Sequence, residues 1–364
     1  MTRAVVALAV VAWALPARTV EVVRIAVVIG APRVELSAPG LAVAPAGSDA
    51  APARVGDRGE VARAGDALVV NGARQDAPAL LFTAAGPIRV GAHLLAGEVE
   101  VRRGQATGLD VVHAIPMEDY VAAVTASEMP ASFPPEALRA QAVAARTFAI
   151  HRKLEAVADG RPWHVGATVL DQVYRAAPVD PRARAAADAT AGLVLAHDHV
   201  PVEAYFHAAC GGHTERGAEA LGRDLPYLQS VACDRCRAAP RARWTVRVGG
   251  AELGRVAALG APASGARVLT RTSSGRAERV EVSARGRRVA LGAGDLRQRL
   301  GFARLPSLLF DVRAAGGDVV FEGRGAGHGA GLCQWGAAGF AREGATFRDI
   351  LARYYPGTEL LRMY

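Results

Sequence analysis

The chain has 364 residues, of which 51% are hydrophobic and 21% are charged. This balance is typical of a folded protein and excludes an intrinsically disordered chain, and the length predicts two domains or one large elaborated domain. The formal net charge is +8, which favours anionic partners such as nucleic acid, acidic lipid or an acidic wall polymer. The sequence contains no basic run interleaved with aromatic residues, so we do not expect nucleic-acid binding.

The first residues have the pattern of a secretory signal. Arg3 precedes an apolar run from Ala4 to Leu15, which is followed by Pro16 and Ala17. A basic head, a short apolar core and a small residue at the exit are typical of such signals, and the run is shorter than the roughly 20 residues that span a bilayer. We therefore expect residues 1–17 to direct export to the periplasm or cell envelope; an uncleaved anchor is the alternative. No later segment is predicted to cross a membrane.

Residues 20–112 are predicted to be rich in short strands. Runs of Val, Ala and Leu such as DALVVNG and LDVVHAIP alternate in polarity and are bounded by Gly, Asn or Pro, which is the pattern of strands joined by turns. The Ala-, Pro- and Gly-rich stretch 38–59 is predicted to be a loose loop or a poorly ordered hairpin.

Residues 113–364 mix predicted helices and strands. One helix is predicted over 117–129, where Pro130 ends it, and another from Pro134 to about Lys153 or Val157, because proline is tolerated in a first turn. Further helices are predicted over 181–192 and in the tail, and a strand-rich insertion over about 243–314. Strands flank helices without regular alternation, so the predicted class is α+β, with helices and short antiparallel strands around a cleft.

Glu128 is a single carboxylate at a predicted helix end, with no acid next to it. By base rate such a residue is a capping carboxylate. A general acid/base needs a raised pKa, which apolar neighbours provide, and Val124, Met129 and Phe133 flank Glu128. Most glycosidases use two carboxylates, but one suffices when the substrate supplies its own nucleophile, as the 6-hydroxyl of a muramic-acid sugar can.

Two long motifs resemble the SpoIID/LytB family. The first is ASEMPASFPPEALRAQAVAARTFA, at 126–149, and the second is GRGAGHGAGLCQWGAAGFAREGATFRDILARYYPGTEL, at 323–360. The resemblance covers roughly residues 100–364. It implies peptidoglycan as the partner and either lytic transglycosylase activity or, in some members, enhancement of a cell-wall amidase.

The resemblance also implies roles for individual residues. Glu128 matches the catalytic acid and Arg146 matches an arginine important for activity, whose planar guanidinium could hold a carboxylate of the glycan. The alternative for Arg146 is a structural ion pair. Gln141 is a candidate sugar contact, and Asp171 and Tyr174 are weaker candidates in a segment similar to one of the family.

Three cysteines and two histidines form a candidate metal site, namely His207, Cys210, His213, Cys233 and Cys236. The C-x-x-C pair can place two thiolates on one ion, and a Cys₃His set would be a closed structural zinc site. Some members of the family bind zinc at a corresponding segment. Disulfides are the alternative in an exported protein, and the fourth cysteine keeps that alternative open. A catalytic zinc hydrolase would need an open metal position.

The glycine-rich tail supplies the last candidates. The stretch GRGAGHGAGLCQWG lacks the Lys-Ser/Thr ending of a phosphate-binding loop. Its glycines would permit close backbone approach to a sugar polymer. His328, Gln334 and Trp335 are predicted glycan contacts, and for Trp335 a place in the core is an equal alternative.

Overall fold

The computed structural model describes residues 20–104, 107–167, 174 and 179–364. The predicted signal, residues 1–17, lies outside them. Within the described residues no helix combines the length and the apolar character needed to cross a membrane.

The N-terminal region consists of strands, as predicted. Their bounds are β1 Val22–Ala31, β2 Arg33–Pro45, β3 Ala53–Ala64, β4 Ala67–Val70, β5 Ala73–Gln75, β6 Ala79–Thr83, β7 Ile88–Val90, β8 His93–Leu95, β9 Val99–Arg103 and β10 Leu109–Pro116. They belong to one sheet, in which strand order runs β1-β10-β9-β6-β2-β3-β4-β5, and β7 and β8 extend from β2.

The loose loop predicted over 38–59 is wrong, and the alternative prediction, a hairpin, is confirmed. Most of this stretch belongs to β2 and β3, which pair antiparallel from Arg33↔Ala62 to Val43↔Ala53, with register shifts on both sides of Leu41. Leu41 and Phe82 are fully buried in the apolar cluster of this sheet. Long-range pairing and burial of alternate side chains therefore override a local composition that favours loops.

Three helices follow, and the proline signals fix their ends. Helix α1 spans Met117–Glu128 and α2 spans Pro135–Ala158, with Pro135 in the first turn of α2. Helix α3 spans Pro181–Ala189 and starts with the side chain of Asp180 as its cap. These helices confirm the predictions, although α3 ends a few residues earlier than expected. The buried alanines of α2 let α1 and α3 pack closely against it.

The remaining elements form several small sheets and short helices, apart from one short strand, Val165–Gly166, that joins the edge of the large sheet beside β1. Their bounds are β11 Val165–Gly166, β12 Leu193–His197, β13 Val200–Pro201, β14 Phe206–His207, α4 Gly217–Leu221, β15 Trp244–Gly249, α5 Gly250–Val256, β16 Gly265–Arg271, β17 Ala277–Ala284, β18 Arg287–Gly292, α6 Ala293–Leu300, β19 Phe310–Ala315, β20 Asp318–Gly323, β21 Leu332–Cys333, α7 Gln334–Arg342, α8 Phe347–Tyr354 and β22 Glu359–Arg362. The α+β class is confirmed; the division into domains stays a prediction.

Two strand pairings connect the C-terminal segment to the strands that follow α3. The short strand β14 pairs in parallel with β21, Phe206 beside Leu332 and His207 beside Cys333. Strand β22 pairs antiparallel with β12. Helices α7 and α8 then pack on α2, so the two motifs of the sequence meet in space.

Candidate functional site

Glu128 stands at the junction where the two motifs meet. It is the last residue of α1, and Met129 and Pro130 turn the chain away. The amide Nε2 of Gln334, the first residue of α7, lies 3.3 Å from Oε2 of Glu128 and 3.4 Å from Oε1 of Gln141. The structure thus brings together three predicted site residues, and the side-chain carbonyl of Gln141 orients the amide that Gln334 donates to the carboxylate.

Glu128 faces a cavity of about 630 Å³. Much of its wall is apolar and aromatic, contributed by Phe148, Tyr205, Phe206, Leu221, Phe302 and Leu308. Aromatic faces of this kind suit sugar rings. A single glycan segment could therefore lie against the carboxyl group.

His328 lines the same cavity as a neutral ring. Its Nδ1 accepts a hydrogen bond from the backbone N–H of Ala330 at 3.1 Å, so the proton sits on Nε2, which donates to the carbonyl of Phe206 at 2.8 Å. Burial lowers the pKa of His328 to about 4. His328 therefore holds the glycine-rich loop against β14 and is not a proton donor at neutral pH.

Three further acids line the cavity, namely Glu215, Glu219 and Glu278, and the sequence analysis missed all three. Glu215 is 1% exposed, and its Oε2 accepts hydrogen bonds from Thr272 at 2.7 Å and Ser274 at 2.8 Å. Burial, and then a hydrogen bond with Glu219, raises the pKa of Glu215. The local stretch HTERGAEAL contains no signal for this role, because the partners of Glu215 lie on a distant hairpin. Glu128 is alone in sequence but not in the cavity.

Arg146 lies outside the cavity, in the helical core. Its side chain is fully buried; Nε and Nη2 bind Glu118 at 3.0 and 2.5 Å, and its other N–H groups reach Ala187, Thr190 and Leu193. All five guanidinium donors are thus engaged. Burial alone would raise the pKa of Glu118, but Arg146 more than offsets this and holds it below its usual value. The structure corrects the predicted glycan contact to an ion pair that ties α1 to α2, α3 and β12.

Besides Arg146, four described candidates for glycan contact are not among the residues that line the cavity, namely Gln141, Tyr174, Gln334 and Trp335. Tyr174 is buried, its hydroxyl is 3.2 Å from Nδ1 of His113, and its ring stacks on Tyr120 at 5.8 Å between centroids; its predicted glycan contact is therefore replaced by a place in the core. Asp171 lies outside the described residues.

Trp335 is half-buried beside the site. Its ring stands edge-on to Phe133 at 4.9 Å between centroids, just after the loop that follows Glu128. A glycan contact for Trp335 stays a prediction.

The cysteine cluster differs from the predicted ligand set. The sulfurs of Cys210, Cys233, Cys236 and Cys333 lie within 4.8 Å of one another, all four are buried, and none forms a disulfide. The fourth member is therefore Cys333 from the tail and not a histidine. It was missed because 123 residues separate it from Cys210 and only the β14–β21 pairing brings them together.

Both predicted histidine ligands are corrected. Nδ1 of His207 is 3.1 Å from the carbonyl of Ala330, and its ring packs against His328 at 5.5 Å between centroids. His213 is exposed and pairs through its backbone with Ala232. Neither belongs to the group of four thiols.

The four thiols fit a structural Zn²⁺ ion. A tetrahedral ion with Zn–S bonds of about 2.3 Å separates its sulfurs by about 3.8 Å, and the sulfurs of Cys210 and Cys236 are 3.6 Å apart. Backbone N–H groups point at the sulfurs of Cys210 and Cys333 at 3.3–3.4 Å, and such donors stabilise thiolates. Four protein ligands would close the site to water, so the ion would supply folding energy and not a reactive hydroxide.

Comparison with known proteins decides the family. The chain is 33% identical over 263 residues to the stage II sporulation protein D of Bacillus subtilis, covering 68% of this chain and 75% of that protein. The chain belongs to the SpoIID/LytB family. A family model described as stage II sporulation protein matches residues 105–197, which include Glu128, Gln141 and Arg146.

Other relatives of this SpoIID/LytB chain carry different names. An uncharacterized protein of Brachyspira hyodysenteriae is 33% identical over 256 residues, covering 69% of this chain and 68% of that protein. A Bacillus subtilis protein named amidase enhancer is 27% identical over 289 residues, covering 65% of this chain but 39% of that protein. A model described as a domain of unknown function matches residues 255–331.

Proposed function

We propose that the chain is an exported peptidoglycan lytic transglycosylase that uses Glu128 as its acid and base. Membership of the SpoIID/LytB family supports a role at the cell wall. The observation that carries the proposal is the position of Glu128 at a cavity whose wall is partly apolar and aromatic, with the Gln334 amide held against its carboxylate.

The proposed reaction needs only one side chain to move a proton. Glu128 gives its proton to the oxygen that links MurNAc to the next GlcNAc, and the C1–O bond breaks. The 6-hydroxyl of the same MurNAc then attacks C1, and the Glu128 carboxylate takes the hydroxyl proton. A 1,6-anhydro ring forms, no water is consumed, and Glu128 ends as it began.

Gln334 has a defined part in this cycle. Its amide donates to Oε2 of Glu128, which stabilises the carboxylate formed after proton transfer and fixes the direction in which Oε1 points. Gln141 in turn accepts from the same amide. Arg146 contributes by holding α1, the helix that ends in Glu128, against the core.

The alternative is a cell-wall-binding enhancer of an N-acetylmuramoyl-L-alanine amidase, which does no chemistry itself. A relative named amidase enhancer favours it. Retention of Arg146 does not separate the two functions, because a buried ion pair serves a binder equally well. Retention of Glu128 beside Gln334 in a cavity favours the enzyme.

A zinc ion bound by the four cysteines is proposed as a structural element. A zinc-dependent hydrolase is disfavoured, because four thiolates at the tetrahedral positions would leave no coordination site for water.

The test is digestion of peptide-free glycan strands by the purified chain and by Glu128→Gln. New anhydro-muramic ends that disappear in Glu128→Gln support the transglycosylase. Binding to the strands without new ends, together with faster turnover by an added amidase, supports the enhancer. Cleavage that survives Glu128→Gln but is lost on chelation would overturn both.

A further inference from the structure

A second cavity lies on the strand-rich segment 243–324. Its volume is about 780 Å³, and it is lined by Arg243, Trp244, Thr245, Arg271, Ser274, Gly275, Leu309, Phe310, Asp311, Glu322, Gly323 and Arg324. None of these residues lines the cavity of Glu128. The sequence motifs and the proposed reaction leave this cavity without a role.

The charges on its wall do not balance. Asp311 is bound by Arg271 at 2.5 Å, and Glu322 is bound by Arg313 at 2.9 Å. Among the described residues, no carboxylate lies within ion-pair distance of the guanidinium groups of Arg243 and Arg324, and both residues are exposed. Two positive charges of the cavity are therefore left for an anion.

These two arginines are also close to one another. Strands β15 and β20 are antiparallel, and their last pair is Trp244↔Gly323. Arg243 directly precedes Trp244 and Arg324 directly follows Gly323, so both arginines lie at the same end of the paired strands, and both line the cavity. Like charges on neighbouring strands repel each other, and an anion bound between the two arginines would offset that repulsion.

Trp244 adds an aromatic surface next to the arginines. Its Nε1 donates to the carbonyl of Gly325 at 2.9 Å, which fixes the ring. A side chain at Gly323 would meet the indole at 2.2 Å, so glycine lets the ring lie across the strand. A flat fixed ring beside cationic forks is suited to a sugar ring that carries a carboxylate.

The same chain segments line both cavities. Ser274, Leu309 and Arg324 face the second cavity, whereas Thr272, Leu308 and Gly327 face the cavity of Glu128. The two cavities therefore lie on either side of the same chain segments, and a polymer bound in one cavity would be close to the other. This relationship connects the arginine site to the proposed glycan substrate.

We propose that Arg243, Arg324 and Trp244 form an accessory site for carboxylates along a peptidoglycan strand. The proposal rests on the proposed function for the identity of the polymer. The carboxylates could be the lactyl groups of peptide-free muramic acid or those of attached stem peptides. In both cases the arginines bind the carboxylate, and Trp244 contacts the saccharide.

The test measures binding to strands in a Glu128→Gln background, so that no strand is cut. Arg243→Ala/Arg324→Ala is expected to bind peptide-free strands at least about tenfold more weakly, since two charge-assisted contacts are lost. The matched control is Arg54→Ala/Arg58→Ala, which removes the same charge from exposed positions of β3 and should bind like the parent. Equal binding by both double variants would overturn the proposal.

Three ligands complete the test. Strands whose lactyl carboxylates are converted to methylamides should bind the parent as weakly as they bind Arg243→Ala/Arg324→Ala if lactyl groups are the source. Strands with intact stem peptides should keep the difference between parent and variant if peptide carboxylates are the source. Poly-glutamate binding as tight as strand binding would contradict a saccharide site. Failure of the proposed function would appear separately, as wild-type protein that binds strands but forms no anhydro ends.

Discussion

The side-chain amide of Gln334 lies 3.3 Å from the carboxylate of Glu128, although 206 residues separate them in the chain. The contact exists because β21 pairs with β14 and ends directly at the start of α7. Cys333, the residue before Gln334, caps α7 and belongs to the thiol cluster. The geometry of the acid thus depends on the tail and on the cysteines that anchor it.

Removal of the Gln334 amide should slow the reaction more than it affects stability. We expect Gln334→Ala to reduce turnover about tenfold, because a hydrogen bond to a charged group contributes about 1.5 kcal/mol or more. The measurement is the rate of anhydro-end formation at saturating strands. Gln298→Ala, at an exposed position of α6, is the control. Unchanged turnover with a lower melting temperature would show that Gln334 only packs.

Substitution of Arg146 should act on stability. Arg146→Ala leaves the half-buried carboxylate of Glu118 without its ion-pair partner and opens a space in the core, and the expected loss is about 3 kcal/mol of unfolding free energy. Urea titration measures it, and a double-mutant cycle with Glu118→Gln should reveal strong coupling. A variant of unchanged stability with a raised KM would instead place Arg146 on the glycan.

We expect the four cysteines of the thiol cluster to be the ligands of one zinc ion. The purified chain should contain one zinc ion, Cys333→Ser should lose it, and His213→Ala should keep it. The measurements are metal content and, after cobalt substitution, the absorption of cobalt–thiolate bonds. Chelation should lower the melting temperature because the ion contributes to folding. Zinc retained in Cys333→Ser but lost in His213→Ala would restore the Cys₃His set.

Acid should weaken the fold through its buried histidines. Burial lowers the pKa of both His164 and His328 from 6.5 to about 4. Between these values the unfolded chain binds more protons than the folded chain, so stability falls as pH drops through this window. We expect His328→Gln to remove roughly 1–2 kcal/mol of the loss between pH 7 and pH 5. Urea titration measures the loss at each pH.

The control is His199→Gln, at an exposed position, which should leave the pH dependence unchanged. If His328→Gln had the same pH dependence as the parent, His328 would not be a source of the acid sensitivity.

The local signals of the sequence were sufficient for the helices around the site. Proline marks the end of α1 and the start of α2, and such stereochemical signals act within a few residues. The position of Glu128 at a helix end followed from them. Strand pairing could not be predicted from such local signals. Residues 38–59 have a loop-like composition, but most of them pair with other strands in a sheet.

The side chains that were misplaced share a physical cause. An arginine on a helix gives the same local pattern whether it faces a ligand or a buried acid, so the partnership of Arg146 with Glu118 was not visible. Cys333 and Glu215 obtain their neighbours from distant segments. Sequence spacing can indicate a metal site or an acid site, but residues such as Cys333 and Glu215 are identified only when the fold is known.

Digestion of peptide-free strands in water labelled with heavy oxygen tests the central claim most directly. If Glu128 drives attack by the substrate's own 6-hydroxyl, the new ends carry the anhydro ring and no solvent oxygen. Glu128→Gln should abolish them, whereas Glu215→Gln should still form them. Solvent oxygen in the new ends, together with loss of cleavage in Glu215→Gln, would show a hydrolase with two acids and contradict the account.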